Sequence, residues 1–187
     1  MVPFFIRFEK KGLKAEEMVL ISMLAAIAAI GRVPFAAIPG VQPTSFVIII
    51  SALVLGGEVG FMVGCTGALV SNIFLGQGPW TPCQMFCWGM MGFIAGLLRN
   101  TKFMKSIVGR CIFGAICGFV FGWIMNLWQL LYLDPNILSW KVFIAYCITS
   151  FKFDLNHAIS NVVFLSLFSS RWLKLLNRVQ IKYGLLE

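Results

Sequence analysis

Residues 44–75 read TSFVIIISALVLGGEVGFMVGCTGALVSNIFL, two apolar runs parted only by Gly56-Gly57-Glu58. Whether this is one helix or two decides the fold, and charge decides which. Apolar runs and their breakers place spans at about 17–31, 44–56, 58–75, 82–98, 106–132 and 153–172. Arg7, Lys10, Lys11 and Lys14 precede the first span; Arg99, Lys102, Lys105 and Arg110 follow the fourth; Arg171, Lys174, Arg178 and Lys182 follow the sixth. These are twelve of the 15 basic residues. With six spans all three clusters share one side, which the positive-inside rule makes the cytoplasm. Fusing the second and third spans would put the last two clusters outside. The expectation is an all-α integral membrane protein, with six transmembrane helices in one compact bundle, a single domain over residues 1–187 and both termini cytoplasmic.

Composition agrees. Of 187 residues, 59% are hydrophobic and 12% charged, where a soluble domain carries about a quarter charged; the mean hydropathy is +0.89. This excludes a soluble globular enzyme, a disordered tail and a nucleic-acid-binding module. The net charge of +8, which on a soluble chain would suggest nucleic acid, is here a matter of topology. Six short helices at roughly 20 residues each fill the length. The basic start, the apolar run from Met18 to Ile30 and the small residues Ala26 and Ala28 have the ingredients of a signal peptide; we read the segment as a retained first span. Cys65, Cys83, Cys87, Cys111, Cys117 and Cys147 lie in apolar stretches with no C-x-x-C pair. They read as small apolar filler, with no metal site.

Small residues recur four apart: Gly56, Gly60 and Gly64; Gly92 and Gly96; Gly114, Gly118 and Gly122. Such stripes let helix backbones approach where lipid removes the hydrophobic drive for association, and we expect the glycines to pack within the molecule. Ala25-x-x-x-Ala29 beside Ser22-x-x-x-Ala26 is either more of the same or, on an end helix with a free face, a docking surface for a partner.

The few polar residues are distributed unevenly. Asn72 ends the third span, Thr81, Pro82 and Gln84 begin the fourth, Asn126 and Gln129 end the fifth, and Lys152, Asp154, Asn156, His157 and Asn161 begin the sixth. Every one falls toward the outer face, joined there by Arg32, Gln42, Gln77 and Trp80 of the connections. Polar groups in lipid are costly unless they face a cavity or one another, so this zone reads as a pocket open to the outside. Interfacial anchoring is the bland alternative; it covers Arg32, Lys141 and Lys152 well and the short amides of Asn126 and Asn161 poorly. Asp154, His157 and Asn161 share one helix face. Substrate contact, a structural network in which Asp154 fixes the His157 tautomer, and proton chemistry are all open to them.

Residues 76–85, GQGPWTPCQM, are the most distinctive local phrase. Gly and Pro make a tight turn, and Thr81, Pro82 and Gln84 fit the N-cap, N1 and N3 positions of a capping box. Trp80 suits either an interfacial belt or a substrate wall. Residues 139–150 read three ways: a re-entrant helix, an extracellular lid, or the start of a long tilted sixth span.

Together with the Pro-rich segment from Arg32 to Pro43, this phrase resembles the substrate-binding S components of energy-coupling factor (ECF) vitamin transporters, and Ala25-x-x-x-Ala29 matches the A-x-x-x-A signature of that family's first span. The likeness covers essentially the whole chain. It implies a multi-pass subunit of the bacterial plasma membrane that captures a vitamin, most closely cobalamin, with riboflavin or another vitamin as the alternative. It also implies docking through Ser22, Ala25, Ala26 and Ala29 onto a transmembrane scaffold subunit driven by two cytoplasmic ATPases, toppling of the whole subunit in transport, and a gate formed by residues 33–43. No G-x-x-x-x-G-K-[ST] loop is present, so ATP would be hydrolysed by those partners. The substrate-binding residues expected are Arg32, Phe35, Gln42, Asn72, Trp80, Gln84, Asn126, Gln129, Asp154, His157 and Asn161. Amides outnumber charges among them, which suits an amide-decorated ligand. A polytopic membrane enzyme would have only Asp154 and His157 as an acid–base pair, with no G-x-S-x-G or H-E-x-x-H. An assembly factor would explain the glycines but not the polar zone.

Overall fold

The computed structural model describes residues 14–133 and 139–185, with residues 6 and 12. The helices are α1 (Ala15–Arg32), α2 (Thr44–Leu55), α3 (Gly57–Leu75), α4 (Thr81–Leu97), the single-turn α5 (Lys102–Lys105), α6 (Ile107–Leu133) and α7 (Trp140–Tyr183). A 3-10 turn, Val33–Phe35, follows α1.

The doubtful break is real. Gly56 adopts φ 96°, in the left-handed half of the map that glycine enters without a side-chain penalty. Its N–H still donates to the Ala52 carbonyl at 2.9 Å, while its own carbonyl accepts from Gly60 N–H at 3.0 Å. One residue thus closes α2 and opens α3. Because α2 is apolar on every side it belongs in the interior: all of its 12 residues except Leu53 are buried, and it touches α1, α3, α4, α6 and α7.

The glycine stripes are spent inside the bundle. A Cβ at Gly60 would meet the Gly92 carbonyl, and one at Gly64 the Trp88 carbonyl, so α3 and α4 lie backbone to backbone. Along α6, Gly114 faces Asn161 and Leu165, Gly118 faces Ala158, and Gly122 faces the Asp154 carboxylate of α7.

Among the described residues, three segments, Ala15–Phe35, Gly57–Leu75 and Ile107–Tyr132, are long and apolar enough to cross a membrane; α2, at 12 residues, is apolar but short. The last helix departs from the expected 153–172. Ser139 caps it by accepting from Val142 N–H at 3.3 Å, and it runs for 44 residues, about 66 Å at 1.5 Å per residue. Of the three readings of residues 139–150, the start of a long helix is the one observed.

Contacts between helix ends gather the basic clusters. Lys14 Nζ donates to the Gly184 carbonyl at 3.4 Å. Arg110 Nε donates to Ser169 Oγ at 3.2 Å, and its Nη1 to the Met104 and Lys105 carbonyls that end α5. The Arg99 guanidinium lies beside Gly56. The described members of all three clusters therefore share one end of the bundle; Arg7, Lys10 and Lys11 lie outside the described residues.

Candidate functional site

At the opposite end, the last turns of α1 and α3 meet the first turn of α4. Arg32 Nη1 donates to Asn72 Oδ1 at 2.6 Å and to Ser71 Oγ at 2.9 Å. Asn72 Nδ2 in turn donates to Gln84 Oε1 at 2.7 Å and to Thr81 Oγ1 at 3.0 Å, and Thr81 Oγ1 donates to Gln77 Oε1 at 2.9 Å. The capping box expected at Thr81 is not formed: the helix begins at Thr81 itself, and no side chain caps it. Thr81 and Gln84 are drawn into the network because Asn72 presents its amide to both.

Arg32 has no carboxylate partner among these groups. Its Cζ lies 5.0 Å from the Trp88 ring centroid, a cation–π contact that strengthens away from water. Trp88 stacks on Phe121 at 5.1 Å, Phe121 meets His157 edge-on at 5.2 Å, and His157 Nε2 is 2.9 Å from Ser45 Oγ. A ladder of rings thus runs from Arg32 across α4 and α6 to His157 on α7. Asp154 does not orient His157, as one reading of the triplet had it. The carboxylate turns toward Gly122 of α6; its Oδ2 accepts from Ser150 Oγ one turn back on α7 at 3.0 Å, and Ser150 Oγ accepts from Asn126 Nδ2 of α6 at 2.8 Å. Asn161 lies a turn deeper, donating to the Gly114 carbonyl at 2.9 Å.

The segment between α1 and α2 is strapped over this end. The Pro39 carbonyl accepts from Asn156 Nδ2 at 3.0 Å, and Gln42 N–H donates to Ser160 Oγ at 3.1 Å. Gly40, at φ 81°, fits so closely on α7 that a Cβ would collide with its backbone at Phe153. Phe35 packs edge-on against Phe164, centroids 6.0 Å apart. Beneath the strap lies a cavity of about 250 Å³ lined by Arg32, Phe35, Gln42, Leu75 and Phe153 among others. A second, of about 450 Å³, is lined by Trp80, Gln84, Met125, Trp128, Gln129 and Tyr132.

Five buried polar atoms have no hydrogen-bond partner among the described residues: Gln42 Oε1, Trp88 Nε1, Asp154 Oδ1, His157 Nδ1 and Asn161 Oδ1. Leaving such a group unpaired costs about 1–3 kcal/mol, and most buried polar groups are paired.

Of the residues expected at a site, Arg32, Asn72 and Gln84 share one network, Arg32, Phe35 and Gln42 line one cavity, and Trp80, Gln84 and Gln129 line the other. Asn126 joins Asp154 through Ser150, and His157 enters the ring ladder. Asn161 stands apart on its own bond to α6. Sequence reasoning passed over Trp88, Ser45, Ser150 and Ser160. Trp88 follows Gln84 by one helical turn, and that spacing was the signal available.

The docking alanines divide. Ala25 and Ala29 are buried, 2% and 0% exposed. With Ala28 and Gly67 between them, α1 and α3 pack together on this side. Ala25 and Ala29, read from sequence either as packing residues or as a docking face, lie inside this contact. Ser22 is exposed and Ala26 half-exposed, flanked by exposed Met18, Val19, Met23 and Ile30.

Residues 16–168 match the model of a family described as "ECF transporter, substrate-specific component". A UPF0397 protein of Aliivibrio fischeri (strain MJ11) is 30% identical over 154 residues, covering 73% of this chain and 81% of the relative. UPF0397 proteins of Aliivibrio salmonicida and Vibrio atlanticus are 33% and 31% identical over 91 and 88 residues, covering 46% and 44% of this chain and 49% and 48% of those relatives. No solved structure matches.

Proposed function

The chain belongs to the family of substrate-specific components of ECF transporters, and from that premise we propose that its polar end is the pocket in which a vitamin is captured from outside the cell. The family makes it a binding subunit of a transporter and not an enzyme. The observation that carries the reading is the concentration at one end of an Arg32–Asn72–Gln84 network and of buried polar atoms awaiting partners on Gln42, Trp88, Asp154 and His157. A bound ligand rich in donors and acceptors meets Arg32 and Gln42 beneath the strap, and the Trp80, Trp128 and Tyr132 rings that line the larger cavity give its flat parts a surface.

In this reading α1, α2, α3, α4, α6 and α7 are six spans of a bacterial plasma-membrane protein. The basic end, with both termini, faces the cytoplasm and the polar end faces outward. Residues 33–43 are the gate. The cavity under the strap, about 250 Å³, is smaller than the 300–1,000 Å³ of ordinary ligand pockets, so entry of a bulky ligand requires the strap to lift. Cobalamin, bulky and amide-decorated, is the first candidate substrate and riboflavin the second. A ligand with several free carboxylates fits less well, since Arg32 is the one cation in the network. Release into the cell depends on the transmembrane scaffold and two ATPases that the family membership brings with it, docked on the α1 face around Ser22 and Ala26.

A thermal-shift panel of vitamins on the detergent-purified chain, with no ATPase present, tests the proposal. Cobalamin is expected to raise the midpoint by several degrees. A shift from riboflavin alone reassigns the substrate, and no shift from any vitamin removes the pocket reading.

A further inference from the structure

A third cavity lies outside the polar end's networks. On the outer flank of the α6–α7 pair, a groove of about 490 Å³ is walled by Phe119, Trp123, Trp140, Phe143, Ile148 and Phe151 with their neighbours Ile144 and Cys147. Every lining side chain is apolar, and several are widely exposed, Trp140 at 73% and Ile148 at 69%. An apolar groove left open on a membrane-crossing segment is filled by lipid tails, which are as apolar as its walls. Phe119 and Trp123 belong to Ile107–Tyr132, one of the segments long and apolar enough to cross a membrane. Trp123 lies nine residues before the end of that segment, about 14 Å along the helix axis, which is acyl-chain depth. Trp140 marks the rim at the first residue of α7, where an interfacial tryptophan belongs. Lys141 follows it and is exposed. Among the described residues of α6 and α7 the one acidic side chain is Asp154, which is buried against Gly122. The helix therefore carries an exposed cation one residue from the rim tryptophan, and none of the described residues lining the groove is acidic.

The geometry points to a lipid site: one acyl chain of an anionic phospholipid lies in the groove, its phosphate at Lys141. Its consequence reaches the interior, because Cys147 of the groove wall lies 3.8 Å from Asn126 Nδ2, which also donates to Ser150. Filling the groove presses α7 onto α6 at the level where Asn126, Ser150 and Asp154 are joined.

Native mass spectrometry of the full chain, released from nanodiscs of equal phosphatidylglycerol and phosphatidylcholine, reads this directly. One retained phosphatidylglycerol is expected, lost in Ile148→Trp, which fills the groove. Lys141→Gln is expected to keep a lipid but lose the headgroup preference by about tenfold. In the unmodified protein, phosphatidylglycerol with brominated chains is expected to quench the tryptophan fluorescence, and Trp123→Phe with Trp140→Phe removes most of the quenched component. Equal retention by Ile148→Trp, indifference to headgroup in the unmodified protein, or a lipid-free dimer abolished by Ile148→Trp each overturns the assignment; the last would make a second copy the occupant.

Discussion

Arg32 and Asn72 are joined by a bond of 2.6 Å that ties the last turn of α1 to the last turn of α3. The same amide turns its nitrogen to Gln84 on α4, so one asparagine holds three helices at the mouth of the candidate pocket. Replacing it by leucine keeps the branching at Cγ and removes all three of its hydrogen bonds, to Arg32, Thr81 and Gln84. Hydrogen bonds to charged groups contribute about 1.5–3 kcal/mol. Asn72→Leu is therefore expected to weaken substrate affinity roughly ten- to a hundredfold, read by equilibrium titration; unchanged affinity would separate this network from the binding site.

Gly122 leaves room for the Asp154 carboxylate, and a Cβ there would occupy it. Overpacking of this kind costs about 1–3 kcal/mol. Gly122→Ala is expected to lower the unfolding midpoint in detergent. Gly31→Ala, where a Cβ meets only ordinary contact at 3.7 Å, is expected to leave it unchanged or raise it slightly. Equal effects would mean that α6 and α7 do not approach as described.

Burial assigns the two small-residue pairs of α1 different roles. Ser22→Trp and Ala26→Trp are expected to leave vitamin binding intact and abolish uptake by cells carrying the scaffold and ATPases. Ala25→Trp and Ala29→Trp, at 2% and 0% exposure, are expected to depress folding yield and binding together. Normal uptake by Ala26→Trp would move the docking surface off α1.

The strap is held to α7 by few bonds. Asn156→Ala removes the donor to the Pro39 carbonyl, a neutral bond contributing about 0.5–1.5 kcal/mol. Stopped-flow measurement is expected to show substrate release roughly two- to tenfold faster. If release is unaltered, residues 33–43 do not govern access.

Much of this was legible in the chain itself. Helical breaks at Gly56 and around Gly76 to Trp80, the intramolecular use of the glycine stripes, and the gathering of Arg32, Asn72 and Gln84 at one end follow from period, charge and polarity. What escaped depended on direction. Ala25 and Ser22 stand in one motif, yet three residues along a helix turn a side chain by about 300°, and which pair faces inward is set by where α3 lies. Thr81 and Gln84 have the spacing of a cap, but a neighbouring amide outcompetes the backbone for them. Trp88 looked like one more apolar residue of a span, and only the fold brings Arg32 over its face. The length of α7 was one of three readings of residues 139–150, and only the fold shows an unbroken helix from Trp140 to Tyr183.

The central claim is that the polar end captures a substrate without help from any ATPase. Its most direct test is an equilibrium titration of cobalamin into the purified full-length chain, alone in detergent. Saturable binding at one molecule per chain, weakened at least tenfold by Arg32→Ala with the fold intact, is the expected result. Absence of saturable binding by cobalamin, riboflavin or any other vitamin, or binding indifferent to Arg32, would contradict it.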